Sequence, residues 1–378
     1  MNHFSERLYG LDHLRALAIV LVLMYHYRAF EHPAWIDTGG RFGWTGVDLF
    51  FVLSGFLISG QLFKEIEKDK KISLKRFYIK RFFRIIPPYL FTLALYFCIP
   101  FFREREMLPP FWKFITFTQN YGLDIIDYGT FSHAWSLCIE EQFYLLLPLI
   151  LLILMKTRFF KYFVFLSILL IAFSLSARFV EWYNIDGDID SGHFWKSWYM
   201  QIYYPTHTRL DGLVTGVLIS YLLQYSSKFR EFVHHNGNAL FISGVIVLAF
   251  SFWICDEQAS RQASIFGFTF VALSYGLMVM GAISKSSFLS RSKYYITTQL
   301  AGISYTVYLS HKGIIHITQN ILEYLNFQVS DSISLCICLL VCIAVGLFYR
   351  YFIEKPSSFI KNKLLMNKNK SQDKIIKI

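Results

Sequence analysis

The run Leu14-Arg-Ala-Leu-Ala-Ile-Val-Leu-Val-Leu-Met-Tyr-His26-Tyr-Arg-Ala-Phe30 decides how the rest of the 378-residue chain is read. It approaches the roughly 20 apolar residues that a bilayer-spanning helix needs. It also carries an arginine near one end and a histidine near the other. A secretory leader has an unbroken apolar stretch followed by a small-residue cleavage site. Arg15 interrupts this run and no such site follows, so the segment is expected to be retained. Nine more apolar runs follow: Val47–Phe63, Pro88–Phe102, Phe143–Met155, Phe160–Ala177, Leu210–Tyr225, Ala239–Ile254, Ser264–Ser284, Leu300–Leu322 and Ile333–Phe352. The one at Phe143 is short and is expected to begin nearer Ser136.

Composition agrees with the runs. Hydrophobic residues make up 54% and charged residues 17%, with a mean hydropathy of +0.40, too apolar for a water-facing surface of this size. The 39 phenylalanines and 24 tyrosines suit lipid-facing helices and interfacial belts. Disorder, collagen and a small disulfide scaffold are excluded. The expected fold is an all-α integral membrane protein of about ten transmembrane helices with both termini cytoplasmic. It comprises a membrane domain over 1–356 and a basic tail over 357–378, with no internal repeat.

A net charge of +11 raises the question of nucleic acid. The basic residues cluster in short stretches between apolar runs, so cytoplasmic loops explain them and no nucleic-acid partner is expected. With the N-terminus inside, cytoplasmic segments hold roughly 24 Lys and Arg against about 9 outside. The largest basic loop is Lys64–Arg81, and the tail adds Lys361, Lys363, Lys368, Lys370, Lys374 and Lys377. Two outer stretches, Arg103–Trp135 and Arg178–Thr208, are long enough to shape a site. No cysteine spacing fits a bridge or a metal, and neither is expected.

Ionisable groups within spans cost about 2.5 kcal/mol or more, so each invites a functional reading. Arg15 and His26 are eleven residues apart, which leaves them about 20° apart on one helix face and roughly 16 Å apart along it. Snorkelling of Arg15 and end-capping by His26 would equally explain an isolated pair. Asp48 falls at the depth of His26, where it either orients the imidazole or favours a helix start. Gly55 and Ser59 form a small-xxx-small pair typical of close helix packing.

Toward the cytoplasm, Lys80, Arg81 and Arg84 share a helical face before Pro87-Pro88, which is read as an interfacial turn. This cluster suits a phosphorylated ligand or, equally, anchoring to anionic membrane lipid. On the outer side stand His133, Trp135, Glu140 and Glu141, then Arg209 and Asp211. The two adjacent glutamates project about 100° apart, so only one can face a given substrate atom. In the run from Leu300, Ser304, Tyr308 and His311 share a face. The distribution describes a polar passage with cations at the inner mouth and acid–base groups outside.

In sequence order these residues resemble the bacterial membrane acyltransferase family three, whose members O-acetylate cell-surface polysaccharides. The carrying segments are Leu11-Asp-His-Leu-Arg15 through Tyr25-His26, Gly46-Val-Asp48-Leu-Phe-Phe-Val-Leu-Ser-Gly-Phe56, and Arg76-Phe-Tyr with Arg81, Arg84 and Pro87. Trp135-Ser-Leu with Glu140-Glu141-Gln-Phe-Tyr144 follows. Weaker echoes are Arg209-Leu-Asp211-Gly, Gly302-Ile-Ser-Tyr-Thr-Val-Tyr-Leu-Ser-His311 and Ile353-Glu-Lys-Pro356. Ser310 and Lys312-Gly313 depart from the family's surroundings of the histidine.

The resemblance implies a bacterial inner-membrane enzyme with no tightly bound cofactor. Its donor would be cytoplasmic acyl-CoA, by preference acetyl-CoA, and its acceptor a hydroxyl of an extracytoplasmic glycan or lipid-linked sugar. Arg15, Lys80, Arg81 and Arg84 would hold the CoA phosphates. His26, aided by Asp48, Glu140 or Glu141, would act as general base or carry the acyl group. His133, Trp135, Arg209, Asp211, Tyr308 and His311 would line the acceptor side. A homo-oligomer is compatible with this reading. The alternative is a proton-coupled secondary transporter or flippase of a glycan or acylated lipid, which also uses intramembrane His, Arg and carboxylates.

Overall fold

The computed structural model describes residues 8–185, 189 and 191–375, and of residues 367–375 the backbone alone. Lys377 lies outside the described residues, and Lys368, Lys370 and Lys374 are described only by their backbone. Among the described residues the secondary structure is helical, with no strand. Each apolar run falls on a helix: α1 (Tyr9–Tyr27), α2 (Thr45–Asp69), α3 (Leu74–Cys98), α4 (Trp135–Lys156) and α5 (Phe163–Asn184). There follow α6 (Asp211–Tyr225), α7 (Gly237–Ile254), α8 (Phe268–Ile283), α9 (Tyr295–Tyr324) and α10 (Ser332–Tyr349). A last helix, α11 (Lys355–Ile375), runs through the predicted border between membrane domain and tail.

Among the described residues, six helical stretches are long and apolar enough to cross a membrane: Trp35–Asp69, Ser132–Lys156, Phe159–Asn184, Gly237–Ile254, Ala263–Ile283 and Ser332–Met366. The chain is a multi-pass membrane protein. Polar residues dilute α1 and α3, and α6 has only 15 residues.

The residues form two compact units: the first holds 1–26, 36–72 and 105–302, the second 27–35, 73–104 and 303–378. In the first, α2 and α6 pack backbone to backbone. A Cβ added at Gly55 would lie 2.1 Å from the Leu213 carbonyl oxygen, and one at Gly216 2.1 Å from that of Val52. Ser59, one turn past Gly55, turns its hydroxyl back onto the Gly55 carbonyl at 2.6 Å, as a small residue on a close-packed face can. Gly46 brings α1 equally near, since a Cβ there would meet the Ala18 carbonyl oxygen at 2.5 Å.

In the second unit the predicted turn at Pro87-Pro88 does not form. Helix α3 continues through both prolines to Cys98. The prolines leave the carbonyls four residues back without their intrahelical donors, and bonds to neighbouring helices on either side hold the segment helical. Here Tyr305 on α9 donates its hydroxyl to the Ile85 carbonyl at 3.0 Å. Thr92, bonded to the Pro88 carbonyl at 3.0 Å, also meets the Tyr349 hydroxyl of α10 at 3.0 Å.

The outer stretch read as beginning at Arg178 also changes. Helix α5 extends to Asn184, so Arg178 is a helix residue buried from solvent.

Candidate active site

Helix α1 is unbroken from Arg15 to His26, so the two side chains share the face that their spacing predicts. Both are half-buried. The His26 ring lies 5.8 Å, centroid to centroid, from that of His133. His133 is 1% exposed and sits in the single 3-10 turn Ser132–Ala134 that leads directly into α4.

Local strain fixes this turn. Phe131, immediately before it, takes a left-handed backbone (φ 54°) that non-glycine residues seldom adopt. Its ring stacks on Phe114 at 5.6 Å, and its carbonyl accepts from Gln119 Nε2 at 3.0 Å. The same ring meets His133 edge-on at 5.1 Å. Packing on several sides thus holds a strained residue, and the strained residue holds the imidazole.

Two buried arginine–aspartate pairs stand in the same unit. Arg178 Nη1 bonds Asp211 Oδ2 at 2.5 Å and Nη2 bonds Oδ1 at 3.3 Å. Its remaining donors reach the carbonyls of Ile265 (3.0 Å) and Thr208 (2.6 Å) and the hydroxyls of Thr269 (2.7 Å) and Ser174 (3.2 Å). Every guanidinium nitrogen of Arg178 is therefore used.

Arg209 is held differently. Nη2 alone meets both oxygens of Asp48, at 2.9 and 3.0 Å. The guanidinium carbon sits 3.9 Å from the ring centre of Phe268, 4.8 Å from Tyr203 and 5.4 Å from Trp135. Arg209 Nε and Nη1 are buried with no hydrogen-bond partner among the described residues.

Helix α4 starts at Trp135, close to the predicted Ser136, and brings Glu140, Glu141 and Gln142 into the unit. Glu140 Oε2 accepts from the Tyr144 hydroxyl at 2.6 Å. Gln142 fastens three segments together. Its Nε2 donates to the Phe117 carbonyl at 2.8 Å and to Asn120 Oδ1 at 3.1 Å, and its Oε1 accepts from Thr206 at 2.5 Å. Asn120 in turn donates to Thr206 at 2.9 Å. A network satisfied at this many atoms rigidifies what it joins.

Asp48 stands in the first turn of α2, as its helix-start reading expects, and its carboxylate receives Arg209. Asp211, in the first turn of α6, pairs with Arg178. Arg178, Tyr203, Phe268 and the Asn120–Gln142–Thr206 network were not singled out by sequence. An arginine near the end of an apolar run was the available signal for the first.

Of the remaining predicted residues, Arg15 belongs to the first unit and Lys80, Arg81 and Arg84 to the second. Within the second, Lys80 and Arg84 are exposed, and Glu354 lies in the field of Arg84 and Arg350. His311 is fully buried, with Nδ1 2.8 Å from the Tyr308 carbonyl. The neighbouring Lys312 approaches Glu104 at 3.8 Å. Among the described residues, no three His, Cys, Asp or Glu side chains stand together as metal ligands would.

Residues 8–350 match the family model described as an acyltransferase domain. The chain is 28% identical over 369 residues to a Staphylococcus aureus (strain COL) protein named "Putative O-acetyltransferase SACOL0978", covering 92% of this chain and 56% of the relative. It is 27% identical over 365 residues to O-acetyltransferase OatA of Staphylococcus aureus (strain NCTC 8325 / PS 47), with the same coverage of 92% and 56%. The chain thus spans about half the length of the curated relatives it matches. No solved structure matches it.

Proposed function

The chain belongs to the acyltransferase domain family, and from that premise we propose that it transfers an acyl group, acetyl by preference, from acyl-CoA to a hydroxyl of an extracytoplasmic glycan or lipid-linked sugar. The observation that carries this reading is the His26–His133 pair, two imidazoles 5.8 Å apart in a setting built from α1 and a strained turn. An imidazole has an ordinary pKa of about 6.5, which suits it to take a hydroxyl proton at neutral pH and return it to a leaving thiolate.

His26 acts as the general base and His133 holds the acceptor hydroxyl or the transferred proton beside it. Asp48 positions Arg209. Lys80, Arg81 and Arg84 meet the CoA phosphates from the cytoplasm, as fixed cations with forked donors would. The enzyme lies in the bacterial cytoplasmic membrane with both termini inside. Trp135, two residues after His133, serves the acceptor side.

The names of the S. aureus relatives support the acetyl group and the oxygen acceptor. The test is a purified sample in proteoliposomes given radiolabelled acetyl-CoA and glycan extracted from the host envelope. Release of CoA together with label in the glycan is expected. Proton-dependent movement of glycan or lipid without consumption of CoA would favour a transporter.

A further inference from the structure

Arg178 and Arg209 are both fully buried and both paired with an aspartate, yet only Arg178 has all its nitrogens engaged. Arg209 Nε and Nη1 have no hydrogen-bond partner among the described residues. Native proteins satisfy nearly all buried donors, so two on one side chain call for a ligand atom. A cation–π setting stabilises the charge over the faces of Phe268, Tyr203 and Trp135, but the N–H bonds lie in the guanidinium plane and still require acceptors.

The location fits the chemistry proposed above. Trp135 follows His133 by two residues. The Trp135 ring lies 5.4 Å from the Arg209 guanidinium carbon, and the His133 ring 5.8 Å from that of His26.

We propose that Arg209 donates through Nε and Nη1 to the carbonyl oxygen of the acyl group during transfer, making it a catalytic residue of this chain. The inference rests on the O-acyl transfer reading. In the step, the acceptor hydroxyl oxygen bonds to the thioester carbon, the carbonyl π pair moves onto oxygen, and the hydroxyl proton passes to His26. Collapse of the tetrahedral intermediate re-forms the carbonyl, breaks the carbon–sulfur bond and returns the proton to the CoA thiolate. Arg209 meets the oxyanion between these events. The surrounding rings exclude water, so donors already in place stabilise it strongly.

The experiment compares wild type with Arg209→Lys, using acetyl-CoA as donor and extracted envelope glycan as acceptor. Lysine keeps a cation for Asp48 but has neither Nε–H nor Nη1. The expected result is a loss of about 10²–10³-fold in kcat with KM for acetyl-CoA changed less than about threefold. A folded Arg209→Lys with wild-type kcat, or a loss confined to KM, overturns the inference alone. A wild type that transfers nothing overturns the reading beneath it as well. Should the lysine variant fail to fold, the double variant Asp48→Asn/Arg209→Gln replaces the ion pair by a neutral hydrogen-bonded one. The same loss is expected there, and unchanged kcat in that folded protein likewise overturns the inference.

Discussion

Arg209 reaches both carboxylate oxygens of Asp48 through one nitrogen, Nη2, across 161 positions of sequence. The pair neutralises the guanidinium in a buried setting while leaving most of its donors uncommitted. Its counterpart, Arg178 with Asp211, spends every nitrogen on the fold. Two side chains of one type in one unit thus differ in how many donors the fold uses, and the difference governs how each should respond to substitution.

Replacing Arg178 by Met should destabilise the protein severely. Asp211 would keep Thr269 and Ser174 as donors but lose the guanidinium that balances its charge. Breaking a buried pair from one side costs about 3–5 kcal/mol. In detergent, Arg178→Met should show a large fall in melting temperature and in folded yield. Wild-type melting would refute a structural role for Arg178.

Gln142→Met should loosen the segments around Asn120 and Thr206 without touching the imidazoles. It removes a donor to Phe117 and Asn120 and the acceptor of Thr206, at about 1–3 kcal/mol for polar atoms left buried. Melting temperature should fall and KM for the glycan should rise, with kcat changed less. A variant that loses kcat at unchanged stability would place Gln142 in the chemistry instead.

Gly55→Leu should separate α2 from α6. The first atom of any side chain would fall within 2.1 Å of the Leu213 backbone oxygen, which cannot rotate away. Overpacking of this kind costs about 1–3 kcal/mol or more, and Asp48, seven residues earlier on the same helix, would lose its alignment with Arg209. Loss of folded yield by size-exclusion profile is the expected readout, and a monodisperse, active variant would contradict it.

Much of this architecture was legible in the sequence and some was not, for physical reasons. The Arg15–His26 face could be read because α1 is continuous, so helical periodicity alone fixes it. The small-residue contact at Gly55 could be read because close approach leaves its mark in residue size. The double proline was misread because the local rule knows nothing of Tyr305, more than two hundred positions away, which bonds the Ile85 carbonyl. Asp48 and Arg209 were each singled out, but spacing cannot tell which aspartate receives which arginine. His133 lay on a stretch with no periodicity to place it, and only Phe131's strained backbone brings it to His26.

A pH-dependent clamp joins the segments that carry Asp124 and Lys196. Burial pushes the Asp124 carboxyl upward, but hydrogen bonds from Lys196 and from the Asp127 and Ile126 amides outweigh it and hold it below the ordinary range. Those to Asp124 and Asp127 hold the Lys196 ammonium above its own. The depressed acid contributes fully above the ordinary carboxylate pKa of about 3.9, and its contribution is lost as pH falls through the lowered folded value. The raised base contributes fully below about 10.4, and its contribution is lost as pH rises through the raised one. Hydrogen-exchange protection of the Ile126 and Asp127 amides, which donate to Asp124 Oδ1 at 3.0 and 3.3 Å, should therefore stay flat between these limits. Lys196→Met should lower that protection and move its acid loss toward the ordinary carboxylate value. Identical profiles would refute the clamp.

The central claim is that His26 carries the acid–base work of acyl transfer, and inverted membrane vesicles test it most directly. Wild type and His26→Ala, matched for folded protein, receive acetyl-labelled CoA on the exposed cytoplasmic face with envelope glycan enclosed. The account predicts CoA release and labelled glycan in wild type and neither in the variant. Equal labelling by the two proteins would contradict it.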